Sequence, residues 1–316
     1  MLARIRTMIQ LLCIATVLAA PADIITAQTN STGTKIEAPG KTGHVMANGV
    51  NYYYEIHGQG EPLLLLHGGL GSIDMFASLV LPALAKHREV IAVDLQGHGR
   101  TTLGDRPISL VDIGNDLSTV LKQLGYKVVD VVGYSFGGGA AFRLGVQHPE
   151  NVRRLVMISA GYAQNGFYPE MLPQQAAVSG AMADAMKETP MYISYKAVAP
   201  KPEDFPRLLD RMGEFMRKPY DWSEDVKKLQ MPVMLVFGDA DMFRPEHEVS
   251  FFKLLGGGLR DAGWTREHMS KNRLAILPNV THYEMFMSPQ LVPAILPFLQ
   301  GDNGAPSWAE QVKKEN

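Results

Sequence analysis

Residues 128–139 read VVDVVGYSFGGG, and this stretch decides the fold. The valine-rich run Val128 to Val132, interrupted only by Asp130, predicts a strand, and Phe136 to His148, closed by Pro149, predicts a helix. Between them stands Gly133-Tyr134-Ser135-Phe136-Gly137. The pentapeptide G-x-S-x-G is a weak signal by itself. Set between a strand and a helix, it predicts a nucleophile elbow, the sharp turn that lifts a serine hydroxyl clear of a sheet. The flanking glycines let neighbouring backbone pass without clash. The helix N-terminus points its N–H groups at developing negative charge. Ser135 is therefore the candidate nucleophile, and the Phe136 N–H a candidate oxyanion donor.

The same alternation runs outward in both directions. Upstream, Val45 to Ala47 and Tyr52 to Ile56 flank Asn48-Gly49 and predict an antiparallel hairpin. Leu63 to Leu66 and Val90 to Val93 predict buried strands, with helical spacing over Ser78 to Ala85 between them. Downstream of Val93, Leu110 to Leu124 predicts a helix with Ser109 as N-cap. Leu155 to Ser159, Val233 to Phe237 and Leu274 to Leu277 predict three later strands, and Ser288 to Leu299 a final helix that Pro293 and Pro297 break or kink. Continuous apolar strands between amphipathic helices mean an α/β fold: a mostly parallel eight-stranded sheet with helices on both faces. Between Ser159 and Val233 the rhythm stops. That methionine-rich stretch predicts a helical insertion over the carboxyl end of the sheet.

A serine nucleophile needs a base, an acid and oxyanion donors. His67-Gly68-Gly69 follows the strand Leu63 to Leu66, so the Gly69 N–H is the second candidate donor and His67 a residue that orients the loop. Val233 to Phe237 runs into Gly238-Asp239-Ala240-Asp241; Asp241, deeper in the loop, is preferred as the acid, and Asp239 reads as a local turn residue. Leu274 to Leu277 leads to His282, the candidate base. The chain order Ser135, Asp241, His282 is that of a nucleophile–acid–histidine triad. His148 reads as a helix-end residue, and His247 and His268 as lying in surface-like stretches. No pair of histidines has H-x-x-x-H spacing, so no metal is expected. Leu70, Met75, Phe76, Tyr134, Met242, Phe243 and Met285 are the expected substrate-binding residues. The loop Gly256 to Arg273 has no assigned role; the border of the pocket entrance is the one position considered for it.

Composition bounds the remainder. The 316 residues carry a net charge of −2 with 46% apolar and 20% charged residues, which suits a globular chain and gives no footprint for nucleic acid. Arg4 and Arg6 precede an apolar run from Met8 to Ala20, then small residues suited to a signal peptidase. This predicts a signal peptide over 1–27, a flexible leader over 28–42, and an exported protein, periplasmic or secreted, with no stable membrane association after cleavage. Cys13, the single cysteine, lies inside that signal, so the mature chain has no thiol for a disulfide, a cysteine nucleophile or a thiolate zinc site. The core is expected over 43–160 and 226–302, the helical cap over 161–225 and a tail over 303–316.

The segments PLLLLHGG (62–69), DLQGHGRT (94–101), GYSFGGG (133–139), GDAD (238–241) and NVTH (279–282) resemble the α/β-hydrolase superfamily, in its capped serine esterase branch. The resemblance covers residues 45 to 300. It implies that the D-x-x-G-x-G turn, Asp94 to Gly99, is architectural, so Asp94 and His98 are not catalytic. It implies a carboxylic-ester hydrolase without metal or organic cofactor, acting on a small-molecule ester or lactone, as a monomer or small homo-oligomer. Ser135 stands where dehalogenases and epoxide hydrolases carry aspartate, which makes those activities improbable. Haloperoxidase-like, perhydrolase and C–C bond hydrolase relatives keep serine and stay open, while a non-catalytic binding relative is disfavoured because the triad is intact. The 94–101 wording and the cap are similar to macrolide esterases, so an antibiotic lactone is one candidate substrate.

Overall fold

The computed structural model describes residues 38–301 together with Trp308 and Val312. The expected signal peptide, Cys13 and most of the leader and tail lie outside the described residues. One mixed sheet of eight strands organises the molecule. In chain order the strands are β1 (Lys41–Ala47), β2 (Val50–His57), β3 (Pro62–Leu66), β4 (Glu89–Val93), β5 (Val129–Tyr134), β6 (Val152–Ile158), β7 (Val233–Ala240) and β8 (Arg273–Thr281). Their spatial order is β1-β2-β4-β3-β5-β6-β7-β8. β1 pairs antiparallel with β2, and β2 antiparallel with β4; every later pairing is parallel. β1 starts at Lys41, so the last two positions of the expected leader already belong to the sheet.

The wholly apolar strands are explained by their two faces. Leu64 and Leu66 pack on one side of the sheet, Leu63 and Leu65 on the other. The same split separates Ile91 and Val93 from Val90 and Ala92, and Leu155 and Met157 from Val156 and Ile158. A strand buried on both faces has no polar side to alternate with. Helices α1 (Val80–Ala85) and α9 (Leu291–Leu299) cover one face; α2 (Leu110–Leu124), α3 (Phe136–Gln147) and α8 (Pro245–Leu254) cover the other.

Local chemistry sets the helix ends. The Ser109 side chain accepts from the Asp112 N–H at the start of α2, and Gly125 closes that helix at φ +92°. α9 begins at Leu291, three residues later than expected, which puts Pro293 in its first turns, where proline is tolerated; Pro297 lies inside it. The 73–85 region divides into a 3-10 turn, Ile73–Phe76, and α1.

The insertion between β6 and β7 contains helices α4 (Met171–Ala177), α5 (Pro190–Val198), α6 (Phe205–Met216) and α7 (Ser223–Val226). Its two ends are tied together. The Gln164 N–H donates to Tyr220 O at 2.9 Å, and the Trp222 N–H to Tyr162 O at 2.8 Å. α6 buries Phe205, Leu208, Leu209 and Met212 beneath itself. Arg207 on its outer flank donates to Gly104 O at 2.7 Å and so ties the cap to the loop after β4.

Candidate active site

Ser135 stands between β5 and α3 at φ +53°, ψ −115°, a strained conformation for a residue with a side chain. Backbone packing requires the turn to be this tight. A Cβ on Gly137 would lie 2.4 Å from His67 O, and one on Gly133 would lie 2.3 Å from Gly137 O. The Ser135 N–H donates to Ile158 O at 2.8 Å and anchors the elbow to the end of β6.

Three loops, each following a parallel strand, converge here. Ser135 Oγ lies 3.0 Å from His282 Nε2. His282 Nδ1 lies 3.0 Å from Asp241 Oδ1. The Tyr134 hydroxyl donates to His282 O and pins the backbone that carries the imidazole. Burial, reinforced by the charge of Asp241, pushes the Tyr134 phenol well up, so it stays a donor. Burial alone would raise the Asp241 carboxyl. The hydrogen bond and charge of His282, then the Ser159 hydroxyl and the Gly238 N–H, outweigh burial and hold it below the usual carboxylate range. Asp239 is different: it faces solvent and accepts the Val280 N–H at 3.2 Å, bridging the carboxyl ends of the parallel strands β7 and β8 where their register shifts.

Gly69 lies against the elbow, where a Cβ would stand 3.6 Å from Phe136 Cβ. Neither the Gly69 N–H nor the Phe136 N–H donates to another protein atom among the described residues. His67 shapes this loop. It is fully buried, its Nδ1–H donates to Gly68 O at 2.7 Å, and its Nε2 accepts the Leu95 N–H at 2.9 Å. Both ring nitrogens are occupied, and burial, helped by His98, lowers its pKa to about 3, so it remains neutral. Asp94 caps its own turn by accepting from the Ile73 and Arg100 N–H groups at 2.7 and 2.8 Å. His98 is buried between His67 and Phe136 and bonds Gln96 O through Nδ1.

The expected pocket residues separate into two sets. Phe76 and Met285 are 1% and 0% exposed and pack in the core on the α1 and α9 face, so they have no surface for a ligand. Tyr134 and Met75 pack against that same core, Tyr134 beneath His282. Leu70, Met242 and Phe243 pack with the face that carries the cap, and Phe243 stacks on Phe167 from the cap at 4.4 Å. Residues not expected at the site join them. Phe215 of α6 meets the Phe136 ring at 5.5 Å, and Met212 Cε lies 3.3 Å from the Cβ position of Gly69. The helical spacing of Phe205 to Met216 was the available signal, but spacing does not say which loop a cap helix covers.

Two further placements differ from expectation, and one contact was not expected at all. His247 is buried, stacks on Tyr162 at 4.2 Å and accepts the Tyr162 N–H at 3.2 Å, because α8 turns it inward beneath the base of the cap. The loop 256–273 lies at the amino end of the strands, away from Ser135: Asn272 Oδ1 accepts the Val233 N–H at 2.8 Å and Lys271 donates to Gln230 O at 2.6 Å. Ser159 donates from its hydroxyl to Asp241 Oδ2 at 2.5 Å, a contact the sequence does not announce.

Comparison with known proteins agrees with this architecture. The family model for the alpha/beta hydrolase fold matches residues 61–189. The chain has the α/β-hydrolase fold. Among curated α/β-hydrolase relatives, 2-hydroxymuconate semialdehyde hydrolase of Pseudomonas sp. (strain CF600) is 40% identical over 124 residues, 37% of this chain and 43% of that protein. The chain thus spans less than half the length of that relative. A protein of Azorhizobium caulinodans named as a carbamate hydrolase is 28% identical over 227 residues, 66% of this chain and 83% of that one. Among solved structures, an esterase from Thermogutta terrifontis superposes with TM-score 0.62 at 18% identity, covering 84% of this chain and 100% of that chain. An enol-lactonase from Burkholderia xenovorans LB400 gives 0.61 at 18%, covering 82% and 100%. At these identities the structural likeness speaks for the fold alone.

Proposed function

We propose that this α/β-hydrolase-fold chain is a serine hydrolase of carboxylic esters that works through an acyl-enzyme. The observation that carries this reading is the chain of contacts from Ser135 Oγ to His282 Nε2, and from His282 Nδ1 to Asp241, at 3.0 Å each, beside two N–H groups that have no protein partner among the described residues. His282 takes the Ser135 proton as Oγ attacks the ester carbonyl carbon. Asp241 holds the imidazole with Nε2 free to accept and stabilises the imidazolium. The tetrahedral oxyanion rests on the Gly69 and Phe136 N–H groups, each worth about 3 kcal/mol of barrier. His282 then protonates the leaving alcohol, and a water activated by the same nitrogen releases the acid.

Apolar groups border the site: Phe136, Met212 and Phe215 on one side, Phe243 and Phe167 on another. They favour a bulky, largely apolar ester or lactone, with a macrolide lactone as one candidate. The same proposal includes export, periplasmic or secreted, for which the basic, then apolar, then small-residue order of residues 4–27 is the support. A second reading, C–C bond hydrolysis, is suggested by the 2-hydroxymuconate semialdehyde hydrolase that is 40% identical over 124 residues.

The test is a Ser135→Ala variant beside the parent on p-nitrophenyl esters, then a mass-based screen of esters, lactones (macrolides included) and a vinylogous 1,5-diketone. Ester turnover that vanishes in the variant supports the first reading. Turnover of the diketone alone would favour the second, and peroxide-dependent halogenation without ester cleavage would overturn both.

A further inference from the structure

Ser159 directly follows β6, at the point where the chain leaves the sheet for the cap. Its backbone has φ +50°, the left-handed region. A residue with a side chain pays about 1–2 kcal/mol to sit there, and glycine would not. The Ser159 N–H donates to Val236 O at 2.8 Å, which extends the β6–β7 pairing by one residue and sets the side chain beside the Gly238 to Asp241 turn. Ser159 is 0% exposed, so bulk solvent does not reach its hydroxyl. Among the described residues its Oγ–H has a single partner, Asp241 Oδ2, at 2.5 Å.

We infer that Ser159 is a positioning residue for the acid of the triad: its buried hydroxyl fixes the Asp241 carboxylate plane so that Oδ1 faces His282. The inference rests on the reading of Ser135, Asp241 and His282 as the reacting groups. The Asp241 partners divide cleanly. Oδ1 accepts from His282 Nδ1 at 3.0 Å and the Met242 N–H at 2.8 Å. Oδ2 accepts from Ser159 and, at a longer 3.4 Å, from the Gly238 N–H. Without Ser159, Oδ2 keeps only the long contact, and the carboxylate is free to turn Oδ1 away from the imidazole. A strained serine where glycine would be relaxed is explained by this one hydrogen bond. The titratable groups that act on Asp241 from the surrounding elements are His282 after β8, Tyr134 at the end of β5 and Glu248 on α8.

The test compares Ser159→Ala and Ser159→Gly with the parent on one p-nitrophenyl ester, with Ser135→Ala run in parallel. Neither Ser159 variant has the hydroxyl; the glycine variant also loses the strain. A hydrogen bond to a charged group of ordinary strength corresponds to about a 10- to 100-fold loss of kcat, with KM within about twofold. Both variants are expected to show that loss. Removing a donor from the charged carboxylate makes the Asp241–His282 pair hold its proton more tightly, so the acid limb of kcat/KM moves to higher pH. Ser159→Gly is expected to melt above Ser159→Ala yet be equally slow: the rate follows the hydroxyl and the stability follows the strain. Parent-like kcat and an unmoved acid limb in Ser159→Ala would overturn the inference. So would a Ser159→Gly variant that regains rate in step with its stability. Full activity in Ser135→Ala is a different failure, that of the triad itself.

Discussion

Replacing Gly137 with alanine perturbs the elbow at its tightest point. The added Cβ would lie 2.4 Å from His67 O, 2.5 Å from Leu66 O and 2.7 Å from Leu66 C, against 3.4 Å for ordinary contact. All three atoms are backbone, so no side chain can swing aside. Relief requires α3 and the end of β3 to separate by about 1 Å, against the parallel pairing of β3 with β5. Overpacking of this kind costs about 1–3 kcal/mol of stability. The part that moves is the His67-Gly68-Gly69 loop, which carries one of the two proposed oxyanion donors. A 1 Å misplacement there costs about a hundredfold in kcat. Urea unfolding and steady-state kinetics on a p-nitrophenyl ester measure both effects on one sample. Gly49→Ala has nothing within 4 Å of the new methyl group and reports the cost of a left-handed glycine alone. A Gly137→Ala protein with the parent unfolding midpoint and parent kcat would refute the argument that backbone contact holds the elbow and the donor loop in register.

The two carboxylates of the Gly238 to Asp241 turn separate by function: Asp241→Asn should lose about four orders of magnitude in kcat, while Asp239→Asn, at an exposed turn, keeps nearly full rate, and the reverse order would reassign the acid. Stability should fall in mild acid. His67, His98 and His247 are held neutral chiefly by burial, with pKa values lowered from 6.5 to about 3, about 4 and about 4. The unfolded chain therefore takes up protons below pH 6.5 that the folded chain refuses. The stability these groups contribute is complete above pH 6.5 and is lost as pH falls toward 4; Asp94 and Glu248, raised by burial to about 6 and about 8, take up protons first in the folded chain and oppose it, which leaves a net fall of about 1–3 kcal/mol per pH unit for the five groups. Urea midpoints measured from pH 7 to 5 that do not fall would contradict it. Asp130→Ala should cost about 3–5 kcal/mol in urea unfolding, because it leaves the buried Arg88, paired with it at 3.1 Å, and Arg153, at 2.9 Å, without their shared carboxylate; a loss under about 1 kcal/mol would show that Glu61 suffices as their partner.

The fold was legible because its signals are local and repeat. Leu63 to Leu66 and Val90 to Val93 are apolar at every position, which only a strand covered on both faces demands, and Ser109 marks the start of α2 to the residue. The candidate site was legible for a related reason: Gly69, Ser135, Asp241 and His282 each follow a strand, and parallel strands bring all their carboxyl ends to one edge. Facing and depth were not legible. Met285 and Phe76 have the size and polarity of pocket residues, yet they pack on the α1 and α9 side of the sheet, and sequence does not tell a buried methionine from one that meets a ligand. His247 is polar in a charged helix and still points inward, because α8 packs beneath the cap base. The contact of Phe215 with Phe136 spans the cap and the core and depends on how the insertion folds back. Ser159 was legible as the last residue of a predicted strand, but a left-handed φ and a bond to a residue 82 positions away leave no trace in residue type.

Ser135 Oγ is proposed to be the nucleophile that carries the covalent acyl intermediate. A fluorophosphonate mimics the tetrahedral state and traps such a serine, and intact-mass measurement followed by peptide mapping locates it. The account predicts one equivalent of adduct on Ser135, none on Ser135→Ala, and a loss of ester turnover in that variant of at least about a thousandfold. An adduct mapped to another residue, or Ser135→Ala turning over the ester at the parent rate, would contradict it.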